Sequence, residues 1–221
     1  MCGRFTITLE PAEFEEELDL SEMPADFGPR YNVAPTQPVA VVRDFTTRKV
    51  EWMRWGLVPF WAKDPSIGTR MINARSETLL EKPSFRDAFT KRRCLILADG
   101  FYEWQKLPGK QPSIPHYFSL KNNKPFFFAG LWDQWQANKS EALTTCTIIT
   151  VAPNEIVQPI HDRMPVMFDS QNGWRWLNPT SAIGALQGLL IPFPSEEMIE
   201  HQVSMRINQP GVESSDLTKR L

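Results

Sequence analysis

Nineteen prolines are spread along the 221 residues, and they restrict the chain to short elements. Proline fixes φ near about −65° and removes a backbone donor, so long helices and long central strands cannot run through it. Short apolar runs lie between the prolines. Phe5 to Leu9 alternates and reads as a strand, as do Val39–Arg43, Val50–Val58, Cys94–Trp104, Thr144–Val151 and Pro165–Phe168. Tyr117–Leu120 and Phe126–Trp132 read as a hairpin around Lys121-Asn122-Asn123-Lys124, and Gln202–Ile207 as a last strand. Helical spacing is confined to Pro11–Leu18, to Glu77–Arg92 interrupted by Pro83, to Asn154–Pro159, and to Asn172–Leu190 broken by Pro179. Strands outnumber helices and are mostly close neighbours in sequence. The expectation is an α+β single domain with a curved, mostly antiparallel, barrel-like β-sheet and peripheral helices. We place the domain at residues 1–208, followed by a polar, loosely ordered tail over 209–221.

This length can bury a large core. The net charge of −2 excludes a uniformly basic coat but leaves room for a local basic groove. Three scattered cysteines make neither a disulfide framework nor a CxxC metal site, and they suit a reducing interior. The N-terminus has no basic region followed by an apolar run, so it does not read as a signal peptide. No stretch approaches the ~20 apolar residues of a membrane span. A cytoplasmic, membrane-free protein is expected. Most of the eight tryptophans belong to the core by default, although aromatics also serve as stacking platforms for bases.

Cys2 follows the initiator methionine directly. A small side chain at position 2 permits removal of Met1, which leaves an α-amine and a thiol on adjacent carbons. The amine has a pKa of roughly 7.7–8.0 and the thiol about 8.5, so both react near neutrality. Such an aminothiol condenses with an aldehyde first as a Schiff base and then as a thiazolidine ring.

Four further clusters are polar within apolar surroundings. Asn73 and Arg75, two apart in an extended segment, share a face, with Ser76 also placed to cap a helix. Glu103 lies between Tyr102 and Trp104; desolvation there raises a carboxyl pKa and suits it to acid/base work, whereas the solvent face of an edge strand is the plainer alternative. His161, one of three histidines, is flanked by Asp162 and Arg163 and fixed by Pro159 and Pro165; His116 and His201 have no such context and read as structural. Phe60, Trp61 and Lys63 form either a stacking ledge or a core edge.

In chain order, MCGRF, RYNVAP, WGLVPFWAK, MINARSET, ADGFYEW, IHDRMP and VSMRIN resemble the SRAP family of SOS-response-associated peptidases and abasic-site processing proteins. The likeness runs over nearly the whole chain. It implies a groove for single-stranded DNA and a DNA–protein crosslink between mature Cys2 and the ring-opened aldehyde of an abasic site, which protects the lesion in the DNA damage (SOS) response. Cys2 is then the nucleophile, Asn73 holds the reacting end, and Glu103 and His161 are the acid/base pair. Arg4, Arg75 and Arg163 match positions near phosphates, and Pro35 and Trp61 positions against bases. Phe60 departs from a tryptophan pair in relatives. AP lyase activity through the Schiff base is compatible with this chemistry. No metal or organic cofactor is expected. The expected partners are single-stranded DNA with abasic sites and replication-associated proteins, and the protein would act as a monomer, nucleoid-associated when bound to DNA. Two other readings stand beside this one: a thiol (auto)peptidase using Cys2, and a noncatalytic single-stranded DNA-binding module.

Overall fold

A computed structural model describes residues 2–109, 111–136, 142–209 and 211–221. In chain order the elements are β1 (Arg4–Ile7), α1 (Pro11–Leu18), β2 (Arg30–Val33), β3 (Pro38–Val42), β4 (Val50–Trp55), β5 (Asn73–Arg75), α2 (Pro83–Lys91), β6 (Arg93–Ala98), β7 (Gly100–Gln105), β8 (Ile114–Leu120), β9 (Phe126–Trp135), β10 (Leu143–Val151), β11 (Met164–Pro165), β12 (Met167–Phe168), α3 (Ser170–Leu177), α4 (Ile183–Gly188) and β13 (Met198–Gln202). The helices are short and begin on local signals. Pro11 opens α1, with the Glu13 carboxylate accepting from the Glu10 N–H at 2.9 Å, and Asp169 caps α3 by accepting from the Asn172 N–H at 2.7 Å.

β4, β3, β6, β9 and β10 pair in that order, and β10 returns to β4, so the five strands close into a barrel. Closure removes both edges. Every pairing in the ring is antiparallel except β4 with β10. This is the barrel-like sheet that the sequence predicts. β6 is buried along its whole length, which explains its uninterrupted apolar run. β5 and β11 attach to the C-terminal half of β10, and β12 attaches to β9.

A second sheet, ordered β13-β8-β7-β1-β2, covers the barrel. Phe5 of β1 meets Trp55 and Phe128 of the barrel edge-on, at 5.2 and 5.6 Å between ring centroids. Phe101 of β7 stacks on Phe118 of β8 at 4.9 Å and reaches Phe128 at 6.3 Å. Such pairs are worth roughly 0.5–1.5 kcal/mol each beyond their buried area, and they fix the second sheet on the first.

The two-sheet arrangement corrects several sequence expectations. Cys94–Trp104 is two strands in different sheets, with Asp99 between them. The buried Asp99 carboxylate accepts from the Thr6 and Thr8 hydroxyls and the backbone N–H groups of Thr8 and Leu9, which turns the chain from barrel to cover. Tyr117–Leu120 and Phe126–Trp132 do not form a hairpin, because β8 pairs with β7 and β13 while β9 stays in the barrel. Pro83 begins α2 rather than interrupting a helix. Asn154–Pro159 forms turns, and the last strand is Met198–Gln202, followed by a 3-10 turn over Met205–Asn208. Beyond Asn208 the chain is tied down: Leu217 is buried against Tyr102, Tyr117, Val203 and Ile207, and the Glu213 carboxylate accepts from the Tyr31 N–H at 2.6 Å.

Gly100 sits where the chain enters β7, and a Cβ there would lie 2.1 Å from the Tyr117 hydroxyl. Tyr117 is held by Thr6 at 3.0 Å and by the rings of Tyr102 and His201. Gly100→Ala is expected to cost roughly 1–3 kcal/mol through overpacking. The readout is a lower urea midpoint at an unchanged m value.

Candidate active site

Four chain segments meet at the seam between the sheets. Cys2 lies just before β1 and is fully buried in the core. Its thiol points to the Arg4 carbonyl at 3.9 Å. Burial pushes the thiol pKa well above its ordinary value, and the nearby Glu103 charge pushes it the same way. The sulfur is therefore a neutral thiol at pH 7.

Asn73 comes from β5, a short strand parallel to β10 in the register Ile148↔Asn73. Its Nδ2 donates to the Cys2 carbonyl at 2.8 Å, while its buried Oδ1 has no hydrogen-bond partner among the described residues. Arg75 is exposed and Ala74 buried. The predicted sharing of one face by Asn73 and Arg75 holds, with Ala74 turned inward.

Glu103 is in β7, between β1 and β8, so it is not on an edge strand. It shares the inward face of β7 with Phe101 and is only 2% exposed. Burial raises its carboxyl to about 7. Its Oε2 is 3.8 Å from Nε2 of His161.

His161 follows a run of turns in which Gln158 N–H donates to the Asn154 carbonyl and His161 N–H to the Val157 carbonyl, both at 2.9 Å. Its Nδ1 lies 3.1 Å from the Arg163 N–H and 3.2 Å from the Arg163 carbonyl. Burial lowers the imidazole pKa, against the opposing pull of the Asp162 carboxylate 3.1 Å from Nδ1. A neutral ring with Nδ1 accepting carries its proton on Nε2, the nitrogen that faces Glu103. A carboxyl near half-titration beside a neutral imidazole can both give and take protons at pH 7. The other two histidines are structural: His116 pairs with Glu200, and Nε2 of His201 meets the Thr218 carbonyl at 2.8 Å.

The residues expected on DNA are differently placed. Phe60 and Trp61 are 60% and 49% exposed. Their loop is anchored from below, because buried Asp133 accepts the Phe60 N–H at 3.0 Å and Trp135 Nε1 donates to the Ala62 carbonyl at 2.7 Å. Pro35 is half-buried in the turn before β3, and Arg75 stands in solvent. Arg4 and Arg163 are already engaged. Arg4 donates to the Asn32 side chain and to the Ile207 carbonyl. Arg163 grips Glu77 through two bonds of 2.7 and 3.0 Å and the Thr150 carbonyl at 2.5 Å. Sequence reasoning missed Glu77 and Asp133 as supports of this region, since their partners lie 86 and 73 residues away. Among the described residues no three His, Cys, Asp or Glu side chains are grouped to hold a metal ion. Among the same residues no helix is long and apolar enough to cross a membrane.

A family model for SOS response associated peptidase (SRAP) matches residues 1–210. The chain belongs to the SRAP family. It is 44% identical over 221 residues to the abasic site processing protein YoqW of Bacillus subtilis (strain 168), covering 98% of both chains. It is 33% identical to the abasic site processing protein HMCES of Rattus norvegicus, over 84% of this chain and 63% of that protein. A crystal structure of a Bacteroides thetaiotaomicron protein superposes with a TM-score of 0.87 at 24% identity over 100% of each chain, a likeness of fold.

Proposed function

We propose that this protein processes abasic sites in single-stranded DNA by joining its N-terminal Cys2 covalently to the ring-opened sugar. The observation that carries the reading is the convergence of Cys2, Asn73, Glu103 and His161 from four separate segments on one buried seam. The relationship to the abasic site processing proteins YoqW and HMCES supports abasic-site processing as the task.

Removal of Met1 turns the Cys2 nitrogen from an amide into an amine. An abasic deoxyribose is mostly a closed hemiacetal; as its C1–O ring bond breaks, the anomeric hydroxyl proton passes to the ring oxygen through the Glu103 carboxylate, and the Nε2–H of neutral His161 stabilises that oxygen by a hydrogen bond. The Cys2 amine adds to the aldehyde carbon to give a carbinolamine. Glu103 donates the proton with which its hydroxyl leaves as water, and an imine remains. The Cys2 sulfur then bonds to the imine carbon while the thiol proton passes to the imine nitrogen through Glu103. The product is a thiazolidine, and one water is the only by-product. Asn73 holds the Cys2 carbonyl through Nδ2, and its free Oδ1 accepts from the amine or carbinolamine without titrating. The imine is also the branch point to strand cleavage by β-elimination.

A thiol peptidase needs a thiolate paired with an imidazole. Burial holds the Cys2 thiol protonated and His161 faces Glu103, so both features weigh against that alternative. The test is denaturing electrophoresis of Met1-processed protein with a single-stranded oligonucleotide carrying one abasic site. A heat-stable slow band on that strand and none on the intact strand is expected. Equal binding of both strands with no band would favour a noncatalytic DNA module.

The exposed Phe60–Trp61 ledge is the stacking surface of this reading. Trp61→Ala is expected to weaken intact single-strand binding by roughly 1–3 kcal/mol, measured by fluorescence anisotropy at fixed salt. Unchanged affinity would place the ledge outside the DNA path.

A further inference from the structure

We infer that Glu77 is a positioning residue for His161, acting through Arg163, an inference that rests on the role proposed above for His161. Glu77 lies in the 3-10 turn Ser76–Thr78, immediately after the strand that carries Asn73. Its two carboxylate oxygens take the two terminal nitrogens of Arg163 at 2.7 and 3.0 Å. Such a fork fixes the plane of the guanidinium as well as its position. The same guanidinium holds the Thr150 carbonyl at 2.5 Å. Thr150 pairs with Arg75 on one side and with Pro165 on the other. One brace thus ties the Asn73 strand, the end of β10 and the loop bearing His161.

The brace reaches the imidazole through the backbone. The Arg163 N–H lies 3.1 Å from His161 Nδ1; a ring that accepts this bond carries its proton on Nε2, opposite Glu103, whereas the Arg163 carbonyl at 3.2 Å and the Asp162 carboxylate at 3.1 Å suit a proton on Nδ1. The Asp162 side chain is 85% exposed, and the turns before His161 restrain the ring from the N-terminal side. When Glu77 loses its charge, Arg163 keeps Thr150 but loses the fork, and the 161–163 backbone gains freedom. The balance among the three groups already within 3.2 Å of Nδ1 then shifts from the Arg163 N–H toward the Arg163 carbonyl and the Asp162 carboxylate. Both alternatives place the proton on Nδ1. Among the described residues the groups facing the ring are Glu103 from β7, Asp162 and Arg163 from its own loop, and the charge of Lys106 from the end of β7; the N-terminal ammonium charge also lowers the imidazole pKa. Glu77 itself is held below the ordinary carboxylate range by its bonds to Arg163, so the brace is charged throughout the neutral range.

The test uses the Met1-processed chain and two substitutions, Glu77→Gln and Glu77→Asp, with two readouts. The first is the pH dependence of the crosslinking rate on single-stranded abasic DNA. Glu77→Gln is expected to slow crosslinking roughly tenfold to a hundredfold and to displace the midpoint of its pH profile. Intact-strand affinity and thermal midpoint should stay close to those of the parent, and Glu77→Asp should restore part of the rate. The second readout needs no activity. Long-range 1H–15N spectra resolve the imidazoles of the three histidines, and the His161 signal should move from the Nε2–H pattern toward Nδ1–H in Glu77→Gln. An unchanged His161 tautomer with an unchanged pH profile would overturn the inference. So would a loss of rate that tracks a loss of intact-strand affinity, which would make Glu77 a support for DNA binding. If the parent chain forms no crosslink, the proposed function fails, and the imidazole spectra still decide whether Glu77 positions His161.

Discussion

Replacing Cys2 with alanine is expected to abolish the heat-stable adduct with abasic DNA while leaving binding to the intact strand in place. The variant keeps an N-terminal amine once Met1 is removed, so it still reaches the imine. It has no sulfur to close the ring, and the imine hydrolyses on heating. Borohydride, which reduces an imine to a stable amine, should therefore recover a band from the variant. A protein that retains Met1 should fail at the earlier step, because its Cys2 nitrogen is an amide, and borohydride should recover nothing at Cys2. The substitution is mild for the fold, although Cys2 is wholly buried; loss of one sulfur from the core costs roughly 1 kcal/mol. A heat-stable adduct from Cys2→Ala without reductant would exclude thiazolidine closure.

Glu103→Gln should lose chemistry and gain stability. Removing a positioned acid/base group costs typically about 10²–10⁴ in rate, and crosslinking should fall by that order with little change in DNA affinity. The stability effect has a defined pH window. Burial lifts the folded-state pKa from 4.5 to about 7. Below 4.5 the carboxyl is protonated in both folded and unfolded chains and contributes no difference. As pH rises from 4.5 to about 7, the unfolded chain ionises first while the folded chain keeps its proton, so stability falls, by about 3 kcal/mol in all. Glutamine does not titrate and escapes this loss. Urea midpoints of parent and variant should coincide near pH 4 and separate by pH 8, with Glu103→Gln the more stable. A variant that is less stable at pH 8, or that loses DNA binding and crosslinking equally, would make Glu103 a structural residue.

The barrel was legible because its strands are apolar and close in sequence, as in Thr144–Val151 and Phe126–Trp132. The second sheet was not. Asp99 looks like one polar residue inside a strand, and the Thr6, Thr8 and Leu9 groups that turn the chain there lie about 90 residues earlier in sequence. Asn122-Asn123 suits a tight turn, and Asn123 does adopt φ 56°, yet the flanking strands diverge into different sheets. Local pattern reports a turn but not which neighbour each strand will choose. The candidate site divides in the same way. Glu103 among aromatics and His161 between charges were visible as polar anomalies, and the ordered motifs of the family linked them to Cys2 and Asn73. The engagement of Arg163 by Glu77 and of Arg4 by Asn32 was invisible, since nothing in either local segment encodes its distant partner.

The most direct measurement is the intact mass of the product formed when the Met1-processed protein meets a single-stranded oligonucleotide bearing one abasic site, followed by mapping of the attached peptide. The expected mass is that of protein plus oligonucleotide less one water, stable to heat without reductant, with the DNA on the peptide that begins at Cys2. Attachment at a lysine, or recovery of only unmodified protein whose Cys2 amine is free, would contradict it.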